Sequence, residues 1–200
     1  NHQYAFRWNP EGGIAVIARA LKTNTTLKYL AFDGWADEVF CEVLAAALLS
    51  NSSLQNLHLS TPSASGYNTG SFSWLSSFFL ALQSNNGLKE LTIRGVNLID
   101  EKLSTAMRLG LRNNSTLERI SLTNIKSGDN DTCLCLEALS FLRTNTTLKT
   151  LHIDFEYNVR RLHHATAIRT ELASVLRDNE TLETLFMPSK RARFQDYLVF

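Results

Sequence analysis

Reactive side chains are few in this chain, and their spacing decides what they can do together. His163 and His164 are neighbours and lack the helical i, i+4 spacing that turns two imidazoles toward one ion. Cys133 and Cys135, two residues apart on a predicted helix, point about 200° apart around its axis, which argues against a shared thiolate site. Cys135 then reads as a core residue, Cys41 as a small helix-packing residue and Cys133 as an exposed thiol. No Gly-rich phosphate loop, Gly-x-Ser-x-Gly elbow or His-Glu-x-x-His run occurs, so catalysis has no anchor and no metal or cofactor is implied.

Charge is the other source of chemistry. Arg160, Arg161, His163, Lys190, Arg191 and Arg193 make a basic cluster interleaved with Tyr157 and Phe194. An acidic protein surface, a phosphate or a nucleic-acid backbone would satisfy such a cluster. The plainer alternative is a solvated loop followed by a basic cap. No stacking platform or recognition motif accompanies the charges, which argues against nucleic acid. Globally the chain is balanced, with 20 basic and 19 acidic residues and a net charge of +1, so no overall field draws it to a polyanion.

These residues are positioned by a repeat. Leu-x-x-Asn-x-x-Leu-x-x-(Leu/Ile)-x-apolar occurs six times, first as Leu21 to Phe32 within the stretch from Ala20, then from Leu48, Leu82, Leu111, Leu142 and Leu176. The leucine that follows each asparagine stands at 27, 54, 88, 117, 148 and 182, giving intervals of 27, 34, 29, 31 and 34 residues. Intervals of this size, each carrying one strand and one helix, are those of a leucine-rich repeat. The Leu-x-x-Leu-x-Leu portion alternates as a strand does, so its free positions form columns on one face of a sheet. One column reads Tyr29, Asn56, Glu90, Arg119, Thr150, Thr184, and the next reads Ala31, His58, Thr92, Ser121, His152, Phe186. A third reads Asp33, Ser60, Arg94, Thr123, Asp154, Pro188. Glu90 and Arg119 stand on adjacent strands, close enough to neutralise each other. His58 and His152 are three strands apart, roughly 14 Å at the usual strand spacing, and cannot share an ion.

Each strand is preceded by a helix with one apolar face. Phe40, Val43, Leu44, Ala47 and Leu48 follow the i, i+3, i+4 rule, as do Leu103, Ala106, Met107, Gly110 and Leu111. Cys135, Ala138, Leu139 and Leu142 form the same stripe, and so do Ile168, Leu172, Val175 and Leu176. A first helix starts at Pro10-Glu11 and runs through Ile14, Ile17 and Leu21. Phe72, Trp74, Phe78 and Phe79 read as core and helix packing. The asparagine after each helix, at 24, 51, 85, 114, 145 and 179, fits a corner at which Asn bonds the local backbone.

The same asparagines complicate the setting. Asn-x-Ser/Thr sequons fall at Asn24, Asn51, Asn113, Asn114, Asn130, Asn145 and Asn179. Such a density suits a glycosylated, secreted protein, but five of the seven are the repeat's own Asn, and small polar residues after a corner produce the sequon by accident. Three cysteines, an odd number without framework spacing, favour reduced thiols and a cytoplasmic setting. There is no membrane-length apolar run and no signal-peptide layout at the start. The chain begins at Asn1 rather than Met, which reads as a processed form or a piece of something longer.

The unit Ala-Leu-x-x-Asn-x-(Thr/Ser)-Leu-x-x-Leu-x-Leu resembles the ribonuclease-inhibitor-like class of leucine-rich repeats, found also in the receptor end of NOD-like immune receptors, in the Ran GTPase activator and in tropomodulins. The resemblance covers about residues 10 to 187. It implies a curved α/β solenoid with a parallel sheet on the concave face, helices on the convex face, about six to seven repeats, and a role in binding macromolecules. The chain of 200 residues is accordingly expected to be one domain: 1–20 a partial first repeat or N-terminal cap, 20–187 the repeats, 188–200 a C-terminal cap or cut edge. The expected function is a non-catalytic protein-binding module. Tyr29, His58, Glu90, Arg119 and His152 would contact the partner from the sheet, and Tyr157, Arg160 and Arg161 from the rim of strand-to-helix loops. A structural segment of a larger assembly or multidomain receptor, with neighbouring domains or subunits, and a secreted glycosylated recognition protein stay open as alternatives.

Overall fold

The computed structural model describes residues 10–33, 38–60, 75–95, 101–125, 132–155, 162–187 and 197–199. Strand and helix alternate from the first residues described. The helices are α1 (Pro10–Leu21), α2 (Glu38–Leu48), α3 (Leu75–Ala81), α4 (Glu101–Asn113), α5 (Thr132–Leu139) and α6 (Leu162–Asp178). The strands are β1 (Tyr29–Asp33), β2 (Asn56–Ser60), β3 (Glu90–Arg94), β4 (Arg119–Ile125), β5 (Thr150–Phe155), β6 (Thr184–Phe186) and β7 (Tyr197–Val199). β1 to β6 lie side by side in chain order and are all parallel, while β7 pairs antiparallel with β6. Each helix packs on the next, making a second layer behind the sheet. This is a leucine-rich-repeat type of α/β solenoid.

The core lies between the two layers because both are amphipathic. Leu57, Leu59, Leu91, Ile93, Ile120, Leu122, Leu151 and Ile153 point inward from alternate strand positions and are at most 2% exposed. They meet the helical stripes of Phe40, Leu44 and Leu48, of Leu103, Met107 and Leu111, and of Ile168, Leu172 and Val175, all buried. Neither layer could bury its stripe alone, so stacking is the source of stability. Phe78 and Phe79 are wholly buried and meet edge to face at 5.6 Å, while Phe72 and Trp74 lie outside the described residues. The fourth stripe departs from a uniform helix. After α5 the chain tightens into a 3₁₀ turn at Ser140–Arg143, which buries Phe141 as well as Leu142.

Two glycines show how closely repeats approach. A Cβ on Gly110 would sit 1.9 Å from the carbonyl oxygen of Phe79, and one on Gly87 would sit 2.7 Å from the Ser52 backbone. Only a hydrogen fits at either place.

The corner asparagines do more than the local turn their sequence context suggests. Oδ1 does bond locally: Asn51 accepts from the N–H groups of Ser53 and Leu54 at 3.0 and 2.8 Å, and the pattern recurs at Asn24, Asn85, Asn114, Asn145 and Asn179. Nδ2, however, reaches across to the preceding repeat. Asn51 donates to Leu21 and Asn24 carbonyls, Asn85 to Leu48 and Asn51, Asn114 to Leu82 and Asn85, Asn145 to Leu111 and Asn114, and Asn179 to Leu142 and Asn145. The hydroxyls of Ser53, Thr116, Thr147 and Thr181 add a donor to the same preceding corner. The asparagines are rungs of a ladder that ties repeat to repeat.

That ladder bears on the sequons. A glycan is attached through Nδ2, the atom already committed to two carbonyls at Asn51, Asn114, Asn145 and Asn179. Asn24 and Asn113 are exposed, and Asn130 lies outside the described residues. Among the described residues, no helix is long and apolar enough to cross a membrane.

Candidate functional site

The open face of the sheet, opposite the helices, carries the side chains that alternate away from the core. Strand pairing aligns them as the columns require: Tyr29, Asn56, Glu90, Arg119, Thr150 and Thr184 in one row, and Ala31, His58, Thr92, Ser121, His152 and Phe186 in the next. The third row follows register from Asp33 through Ser60 and Arg94 to Thr123, then breaks where the β4–β5 pairing shifts between Leu122 and Ile125.

In the first row three neighbours form a network. Asn56 Nδ2 donates to Glu90 Oε2 at 2.7 Å, and Arg119 donates to the other oxygen of the same carboxylate. Glu90 is thus held from both sides with each oxygen used. The Arg119 and Glu90 side chains are 62% and 39% exposed, so solvent screens the pair and its worth to folding is about 0–1 kcal/mol. It orients charges on the surface at little cost to stability. Tyr29, 60% exposed, stands at the end of this row on the edge strand.

The second row contains a half-buried cluster around His152. Its Nδ1 lies 3.2 Å from Ser121 Oγ on the neighbouring strand, and its ring meets Phe186 edge to face at 4.5 Å. Nε2 of His152 and Oδ1 of Asp154, two positions further along the same strand, are buried and have no hydrogen-bond partner among the described residues. Burial pushes the imidazole below its ordinary value, while the Asp154 carboxylate pulls it partly back up. His58 is half-buried three strands away, with Thr92 and Ser121 between it and His152.

The structure therefore joins Glu90 with Arg119 and keeps Tyr29, His58 and His152 on the same face at separate places. Tyr157, Arg160 and Arg161, like Lys190, Arg191 and Arg193, lie outside the described residues, as do the strand-to-helix loops. Sequence reasoning did not single out Ser121, Phe186, Asp154 or Asn56 as members of these clusters. The signal was present in the columns, where Ser121, His152 and Phe186 are consecutive and Asn56 precedes Glu90. Cys41 is buried. The side chains of Cys133 and Cys135 are outside the description.

No protein-family model matches the chain, and no curated protein matches it. Among solved structures, it is similar to the actin-binding site 2 of leiomodin-1, with a TM-score of 0.53 over 81% of this chain and 86% of that one. The likeness is one of fold. Sequence identity is 15%, so the repeats share their architecture while the side chains on the sheet face are this chain's own.

Proposed function

We propose that the open sheet face is a preformed recognition surface for a protein partner and that the chain acts by binding rather than by catalysis. The observation that carries this reading is the His152 cluster, where a buried imidazole nitrogen and a buried carboxylate oxygen lack partners among the described residues, beside an aromatic ring on a rigid sheet. Buried polar atoms left unpaired are costly, and a partner that supplies a donor to Asp154 and a polar group to His152 would relieve that cost. The oriented Glu90–Arg119–Asn56 network offers a second, charged contact along the neighbouring row. A face fixed by parallel pairing loses little conformational freedom on binding, so scattered contacts can sum to useful affinity.

Ser121 beside His152 has the residue types of a nucleophile and base. Both side chains stand on strands paired in parallel, and they face each other across that pairing. The pair serves the reading better as a hydrogen-bonded contact. Tyr157, Arg160 and Arg161 belong to the proposal as rim contacts from the sequence alone.

Capture from the native source by the immobilised chain, read by mass spectrometry, tests this. His152→Ala and Arg119→Glu should each deplete the same captured protein by at least about tenfold, the effect of about 1.4 kcal/mol. Arg112→Glu, on an exposed helical position, should leave it in place. Depletion by a paired Arg160→Glu, Arg161→Glu change, with none from the sheet substitutions, would move the site to the rim. The leiomodin likeness makes actin a sensible purified protein to include as one arm.

A further inference from the structure

The first repeat differs from the others in what it leaves uncovered. Among the exposed large apolar residues, Val16, Ile17, Leu27 and Tyr29 all belong to it, at 58, 50, 38 and 60%. Position by position, the contrast is sharper. Ile17 lies seven residues before its ladder asparagine, and its counterparts Leu44, Phe78, Met107, Ala138 and Leu172 are at most 2% exposed. Leu27 follows its asparagine by three, and its counterparts Leu54, Leu88, Leu117 and Leu148 are at most 1% exposed, while Leu182 in the last repeat is half-buried. Ala20 is exposed where Ala47, Ala81 and Gly110 are buried.

Two polar features point the same way. Asn24 uses Oδ1 as every corner does, accepting from Thr26 and Leu27 at 3.0 and 2.7 Å. Yet among the described residues its Nδ2 donates to nothing, while every later rung donates to two carbonyls of the repeat before it. Among the described residues β1 pairs only with β2, which leaves its other edge open, and Tyr29-Leu30-Ala31-Phe32-Asp33 carries neither a proline nor a lysine to guard it. The opposite end of the sheet is closed differently, by β7 running antiparallel to β6.

We propose that this end face docks a further leucine-rich-repeat unit, stacked in parallel register ahead of α1, and that the occupant continues the interface already made five times within the chain. The complement is specific. It must offer a parallel strand to the edge of β1, a helix against Ile17 and Ala20, and two corner carbonyls to Asn24 Nδ2. A second copy of this chain fits poorly. Its C-terminal sheet edge is taken by β7, and two N-terminal faces related by a two-fold axis would pair β1 antiparallel, setting each Asn24 beside the far end of the partner strand rather than a corner. The proposal stands apart from the sheet-face reading and uses none of its residues except the edge position Tyr29.

The test grafts a repeat of known fit. In a chimera, a second copy of residues 101–131, which spans α4, β4 and the connection to the next helix, replaces residues 1–9 ahead of Pro10. Hydrogen exchange at the edge-facing β1 amides should slow by at least about tenfold relative to the 200-residue chain. Asn24→Asp, which keeps Oδ1 and removes the Nδ2 donor, should lower the chimera's folding constant by at least about tenfold. In the 200-residue chain the same change should alter it by no more than about twofold, against at least about tenfold for Asn114→Asp. That comparison stands even if the chimera does not fold. Unchanged β1 exchange in a folded chimera overturns the proposal, as does an equal cost of Asn24→Asp and Asn114→Asp in the 200-residue chain. A concentration-dependent dimer in sedimentation that Ile17→Asp makes monomeric also overturns it, by assigning the face to a second copy.

Discussion

At the scale of single residues, the corner asparagine carries the most consequence for stability. Each interior copy makes bonds in two directions at once, so removing it breaks the link between repeats and strips the cap from its own corner. Asn114→Ala would leave the Leu82 carbonyl without this donor and the Thr116 and Leu117 N–H groups without this acceptor, at about 1–3 kcal/mol, since an unmet buried polar group costs its full desolvation. Urea unfolding of the variant should show that loss at an unchanged slope. His152 makes a second prediction. Its imidazole binds protons less readily in the folded chain than in the unfolded one, so the unfolded state gains protons first as pH falls. Its contribution to stability is therefore present above the ordinary histidine range and is lost as pH falls from there through the lower folded value. Melting temperatures compared at pH 7.5 and 5.5 should fall less in His152→Gln than in the parent chain.

These two residues also show what the sequence makes legible. The spacing of leucines and asparagines locates six strands, the helices before them and the columns on the open face, because stacking demands the same residue at the same place in every repeat. What the amide nitrogen of Asn51 or Asn114 bonds to is not legible from one repeat alone, since its acceptors lie in the repeat before. The partners of His152 escape for a similar reason: Ser121 and Phe186 come from strands about thirty residues away in either direction, and only the pairing register brings them together. The half-exposure of Ile17 is invisible to a helical pattern that places it on the buried face, because the pattern cannot say whether a neighbour is there to bury it.

At the scale of elements, the close approach of α3 and α4 is set by a single hydrogen. Replacing Gly110 by Ala should raise intrinsic helix propensity by about 1 kcal/mol. The added methyl would sit 1.9 Å from the Phe79 carbonyl oxygen, and displacing a helix backbone costs more than propensity returns. Gly110→Ala should therefore lower the unfolding midpoint in urea, and a raised midpoint would mean that the helices part easily. The ion pairs of Arg143 with Glu171 and Asp178, largely exposed, and of Arg108 with Glu137, half-buried, lie between helices and are expected to matter far less. Leu91→Ala, in the middle of the sheet's buried face, should cost about 2–5 kcal/mol in the same measurement.

At the scale of the whole molecule, the repeat separates positions held by stacking from positions left free. Leucines, asparagines and the two close glycines are committed to stacking, while the alternate strand positions are free to differ, and they do: a charged network in one row and an aromatic–imidazole cluster in the next. The central claim is that a protein partner meets this face. Site-specific photo-crosslinking in the native extract tests it most directly, with a benzophenone side chain placed at Thr92, between His58 and the Ser121–His152 pair, or at Arg112 on the exposed side of α4. The account predicts one discrete adduct from position 92, suppressed by His152→Ala, and none of that mass from position 112. The same adduct from position 112, or an adduct at 92 indifferent to His152, would contradict it.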